Sequence, residues 1–129
     1  PRAAWMSLIG RVLLAAVFII LGFAKISGFA VMSDFAAANN VPFPDLAIVI
    51  AIVIELGGGL MIALGWKTKL AALAVIVFLI PVTYYFHTNF ADPMQMTMFL
   101  KNLSILGGVL LLATYGPGKY SLDEMMKKA

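Results

Sequence analysis

The stretch Leu46–Leu64, LAIVIAIVIELGGGLMIAL, decides the fold. It is about as long as the roughly 20 apolar residues that cross a bilayer, and its single ionisable side chain is Glu55. A carboxylate at that depth costs roughly 2.5–3.5 kcal/mol or more to hold unless it has a partner or water, which makes Glu55 a functional-site residue by default. Ala47, Ala51, Glu55, Gly59 and Ala63 recur at four-residue spacing. A ladder of small residues lets backbones approach closely, so Glu55 is expected to face another helix and not lipid.

Three further apolar runs flank this one, giving spans at Trp5–Ala24, Leu46–Leu64, Leu70–Phe90 and Met98–Tyr115. Pro42 and Pro44 precede the second, Gly65-Trp66 ends it, Asp92-Pro93 follows the third, and Gly116-Pro117-Gly118 stops the fourth. The expectation is an all-α integral membrane protein, one domain over 1–129, folded as an antiparallel four-helix bundle. Between the first two spans, Phe29, Met32, Phe35 and Ala36 recur at helical spacing and predict a short amphipathic helix at the membrane interface. That helix reads either as a membrane-anchoring loop or as a lid.

Composition agrees. Of 129 residues, 63% are hydrophobic and 12% charged, with mean hydropathy +1.01; a soluble domain carries about twice that charged fraction. The net charge of +3 does not form a nucleic-acid face, because the basic residues are scattered around apolar segments. Arg2, Lys67, Lys69, Lys119, Lys127 and Lys128 fall on one side, so the positive-inside rule predicts both termini in the cytoplasm. The first apolar run continues to Lys25 without a small-residue cleavage site, which argues against a removable signal peptide. With no cysteine, iron–sulfur and thiol relays are excluded within the chain. One histidine cannot supply a bis-His haem, and no metal-ligand spacing is present, so neither metal nor haem is expected.

The remaining polar residues converge. Arg11, Phe18, Gly22 and Lys25 share a stripe on the first helix, within about 40° of one another. Thr83 and His87 stand one turn apart on the third, and Lys101, Ser104 and Gly108 mark a close-packing side of the fourth, with Asn102 adjacent. Glu55 lies roughly 13–14 Å below the outer end of its span, and Lys101 only a few ångströms in from the same end. The expected cluster therefore opens outward, with Arg11 approaching Glu55 from the cytoplasmic half. Tyr84, Tyr85, Trp5 and Trp66 read as interfacial belt residues.

The pattern Arg11…Gly22-Phe23-x-Lys25, Pro44…Glu55, Leu64-Gly65-x-x-Thr68-Lys69 resembles DoxX family membrane proteins. So does Phe99-x-Lys101-Asn102-x-Ser104-Ile105-x-Gly107-Gly108, followed by Gly116-Pro117-Gly118…Ser121-x-Asp123. The chain departs at Phe86-His87, where such relatives often carry two histidines. The resemblance implies a bacterial inner-membrane four-helix bundle with a link to quinone-coupled oxidation and redox-stress complexes. On that basis the leading expectation is a membrane subunit of a quinone-linked oxidoreductase system. Arg11, Lys25, His87, Lys101 and Asn102 would bind a quinone or similar amphipath, and Glu55 would act catalytically by relaying protons. Expected partners are the bilayer, a redox partner protein and further copies of the chain. The alternative is a non-catalytic assembly or anchoring protein whose polar core only fixes helix packing.

Overall fold

The computed structural model describes residues 1–128. Its helices are α1 (Arg2–Ser27), α2 (Phe29–Ala38), α3 (Pro44–Leu64), α4 (Thr68–Phe86), α5 (Pro93–Tyr115) and α6 (Leu122–Lys128). The chain is an integral membrane protein: α1, α3, α4 and α5 are long and apolar enough to span a bilayer. Their outward faces carry exposed Leu13, Ile20, Phe23, Val53, Leu70, Val77 and Leu111, as expected where lipid replaces water. Both termini, the turn between α3 and α4, and α6 share one end of the bundle, here the terminal end. The α1–α2–α3 junctions and the α4–α5 turn share the other, the distal end.

Local chemistry sets the boundaries. Phe43 takes a left-handed conformation (φ +49°), which turns the chain into Pro44 at the first position of α3. At the other end of α3, Gly65 (φ +68°) closes a Schellman motif: Gly65 N–H donates to Ile62 O and Trp66 N–H to Met61 O. No other residue fits there, because a Cβ on Gly65 would collide with Ser121. Asp92 caps α5 by accepting from Met94 N–H at 3.0 Å, with Pro93 at the first helical position.

The spans run two or three residues beyond expectation at several ends, and two boundaries differ more. α4 ends at Phe86, not Phe90, and α5 begins at Pro93, not Met98. The Asp92 cap is what extends α5 outward. Lys101 therefore lies eight residues into its helix, about 12 Å along the axis and not a few ångströms.

The buried core joins Ala15 and Phe18 of α1 to Ile62 of α3, Ala71, Ala72, Val75 and Leu79 of α4, and Val109 of α5, and extends from the terminal half to the chamber wall. Two glycines bring α1 and α3 together. A Cβ on Gly59 would lie 2.9 Å from Ile19 Cγ1, and one on Gly22 would lie 2.9 Å from Glu55 Cβ. On α5 the packed face runs through buried Asn102 and Val109, seven residues apart, while Lys101 and Ser104 are exposed. The close-packing side expected through Lys101, Ser104 and Gly108 is corrected accordingly, with Gly108 half-buried at its edge.

α3 is not uniformly α-helical. Val53–Gly58 forms a π-helical turn, which widens the ring of each backbone hydrogen bond by one residue. The reason is legible locally. Gly57-Gly58-Gly59 has weak α preference, and Glu55 and Gly58 of this turn are both buried.

Candidate functional site

Glu55 sits in the π-helical turn, 4% exposed. Its partner is Lys25, whose Nζ lies 2.8 Å from Glu55 Oε1, with Lys25 in the last turn of α1. At that distance the contact is a charge-assisted one between ammonium and carboxylate. Gly22 makes this possible: with no side chain, it lets the Glu55 stem pass against α1 one turn below Lys25.

Beside the pair opens a chamber of about 420 Å³. Its walls are apolar, with Phe18, Ile48, Phe78 and Leu79 among them, and Lys25, Glu55, His87, Lys101 and Asn102 supply its polar groups. Five of the six residues picked from the sequence thus meet around one cavity. His87 Nδ1 is buried without a protein partner. Asn102 is held in place by donating to Thr83 Oγ1 at 3.0 Å. Lys101 is close enough to act electrostatically on both Glu55 and His87. Met32, Phe35 and Ala36 of α2, with Val41 and Pro42 after it, form the distal wall. α2 is pinned there twice: Phe35 stacks on Phe86 with ring centroids 5.3 Å apart, and Ser33 Oγ donates to Asp45 Oδ1.

Arg11, the sixth residue, is not in this chamber. It is 4% exposed at the terminal end, where it donates to Pro117 O, to Tyr120 O at 2.9 Å and to Ala63 O at 3.3 Å. The expectation that it approaches Glu55 is corrected, and Arg11 does not line the chamber. Arg11 shares the α1 stripe with Lys25, but fourteen positions of helix, about 21 Å, separate the two. Its planar fork instead ties the segment after α5 to α1 and α3.

Residues 6–88 of the chain match the DoxX family pattern. This chain belongs to the DoxX family. It is 42% identical to the inner membrane protein YqjF of Escherichia coli over 94% of this chain and 92% of that protein. It is 38% identical to the inner membrane protein YphA of the same organism, over 91% and 87%. It also resembles a Surfeit locus protein 4 homolog of Drosophila melanogaster, at 30% identity over 96% of this chain and 42% of that longer protein. No solved structure matches it. Lys25, Glu55 and His87 fall inside the matched DoxX segment, whereas Lys101 and Asn102 lie beyond it.

Three features of this DoxX protein escaped the sequence reading. The π-helical turn is the first; its signal was a carboxylate two residues before a glycine triplet. Tyr85 is the second, a residue of the chamber wall. It completes the i, i+4, i+7 spacing of Phe78, Val82 and Tyr85 on one face of α4. The third is Asp123, which caps α4 from another segment. Its carboxylate accepts from Lys67 N–H at 2.7 Å, Thr68 N–H at 2.9 Å and Thr68 Oγ1 at 2.7 Å. Burial pushes its carboxyl upward. The hydrogen bonds from Thr68 and Lys67, with the Arg11 charge, outweigh that and hold it below the usual carboxylate range.

Proposed function

We propose that this DoxX protein is the membrane subunit of a quinone-linked oxidoreductase system and binds a quinone or similar amphipathic molecule in the distal chamber. One observation carries the reading: an apolar cavity at membrane depth ends on the buried Lys25–Glu55 ion pair, beside a buried His87 ring nitrogen that has no protein hydrogen bond. Polar groups held inside a bilayer without full partners mark ligand or proton paths. The residues present fit a quinone. Lys25, Lys101 and the Asn102 amide can donate to carbonyl oxygens, His87 offers an unpartnered ring nitrogen, and the apolar walls suit a tail.

A bound quinone would supply two-electron, two-proton redox chemistry. The chain's own part is to orient the head, exclude water and hold a proton near it, with Glu55 placed to relay that proton. Electrons then come from a soluble substrate or a partner protein. With the basic loops inside, the protein lies in the bacterial inner membrane with both termini cytoplasmic and the chamber in the outward half. A polar core that served only to fix helix register has no need of the cavity beside it, which favours the ligand reading over an anchoring role.

Purification from native membranes with extraction and mass spectrometry of bound small molecules tests this. A quinone that co-purifies with the unaltered chain and is lost in Glu55→Gln and Lys101→Met supports it. A protein partner retained with no small molecule in any sample contradicts it and favours the anchor.

A further inference from the structure

We infer that the chamber also takes a single-chain amphipath with an ionised acid head, a long-chain carboxylate, and that Lys101 is the residue that receives its charge. This rests on the chamber being a ligand site, but not on the ligand being a quinone. The charges around the cavity do not balance. Lys25 and Lys101 both line it, and its only carboxylate, Glu55, stands 2.8 Å from Lys25. Among the described residues no acid pairs with Lys101.

Lys101 lies about 12 Å along α5 from its distal end, exposed on the helix while lining the chamber, so its ammonium is accessible to a head group entering there. A neutral carbonyl brings no charge to offset the excess cation beside the Lys25–Glu55 pair. A carboxylate compensates it with a charge-assisted hydrogen bond. His87 Nδ1, buried without a protein partner, stands on the same cavity and offers a second contact for the head.

Size narrows the class. A cavity of about 420 Å³ lies toward the small end of the roughly 300–1,000 Å³ of small-molecule sites. One acyl chain suits it, whereas a two-chain phospholipid would leave most of its tails outside.

The test uses the full chain in phosphatidylcholine nanodiscs, with palmitate, methyl palmitate and decylubiquinone as probes and binding read by native mass spectrometry. Palmitate is expected to be held at least about tenfold more tightly than its methyl ester. Lys101→Met should erase that preference, with acid and ester then held equally, and Lys101→Arg should keep it. Should the methionine variant fail to fold, the acid-against-ester comparison in the unaltered chain and the arginine variant still decide. Equal binding of acid and ester overturns the inference, as does a preference that survives Lys101→Met. Displacement of palmitate by phosphatidylglycerol added to the nanodisc overturns the single-chain assignment. Quinone binding without acid preference defeats this inference alone; no binding by any probe defeats the ligand chamber itself.

Discussion

Arg11 and Glu55 are equally buried, each 4% exposed, yet the bundle treats the two charges in opposite ways. Arg11 reaches three backbone carbonyls, and the surrounding terminal half is closely packed. Around it Ser7 donates to Pro117 O, Trp5 packs on Tyr120 at 5.0 Å, and Asp123 caps α4. Glu55 reaches one lysine, in a wide turn of helix, beside a cavity. A buried charge whose partners are fixed backbone groups is a structural tie. One held by a single side chain, next to space, is available to something that comes and goes. Depth and burial alone do not separate the two cases; the partners do.

The largest effect expected is at the terminal end. Arg11→Met takes a donor from three carbonyls, of which Pro117 O keeps Ser7, and should cost about 3 kcal/mol or more, at about 1–3 kcal/mol for each buried acceptor left unsatisfied. Arg11→Lys should recover only part, since an ammonium cannot reproduce the fork. Unfolding titrations in mixed micelles check both. A small loss in Arg11→Met would erase the contrast between the two ends.

Next comes Gly22→Ala. The new Cβ would meet Glu55 Cβ at 2.9 Å and Leu56 N at 3.0 Å, an overpacking cost of about 1–3 kcal/mol. It should also displace the Lys25–Glu55 pair, so ligand retention falls along with stability in the same titration.

Asp123→Asn removes the charge from the cap on α4 and should cost about 1–2 kcal/mol, at the upper part of the range for helix caps. It should also alter the acid response. Because Asp123 titrates lower when folded than when unfolded, its contribution is fully present above the unfolded carboxylate value of about 3.9. That contribution is lost as pH falls through the lower folded value. The unaltered chain should therefore release α6 on acidification, seen as faster amide exchange over 122–127, and Asp123→Asn should show a flatter profile. The smallest effect belongs to Gly57→Ala. No atom lies within 4 Å of the added Cβ, so stability should hold or rise by up to about 1 kcal/mol.

Much of this was readable in the chain. Four spans followed from apolar length, and the convergence of Lys25, Glu55, His87, Lys101 and Asn102 followed from helical rotation and depth. Arg11 misled because its stripe is shared with Lys25 while its partners are carbonyls of the segment after α5, and carbonyls leave no mark in a sequence. The depth of Lys101 was misjudged because hydropathy starts α5 at its apolar residues, whereas Asp92 and Pro93 start it several residues earlier. The π-helical turn depends on packing between α1 and α3 as much as on its glycines, so a fixed 3.6-residue period cannot reveal it.

The most direct test of the contrast is the double variant Lys25→Met with Glu55→Gln, followed for both unfolding and retained ligand. If the pair is held for a ligand, replacing both members should leave the bundle as stable as before, or more so by up to about 4 kcal/mol, while the small molecule that co-purifies is lost. A double variant destabilised as severely as Arg11→Met, with its ligand still bound, would mean that Glu55 is a structural tie like Arg11 and would contradict the account.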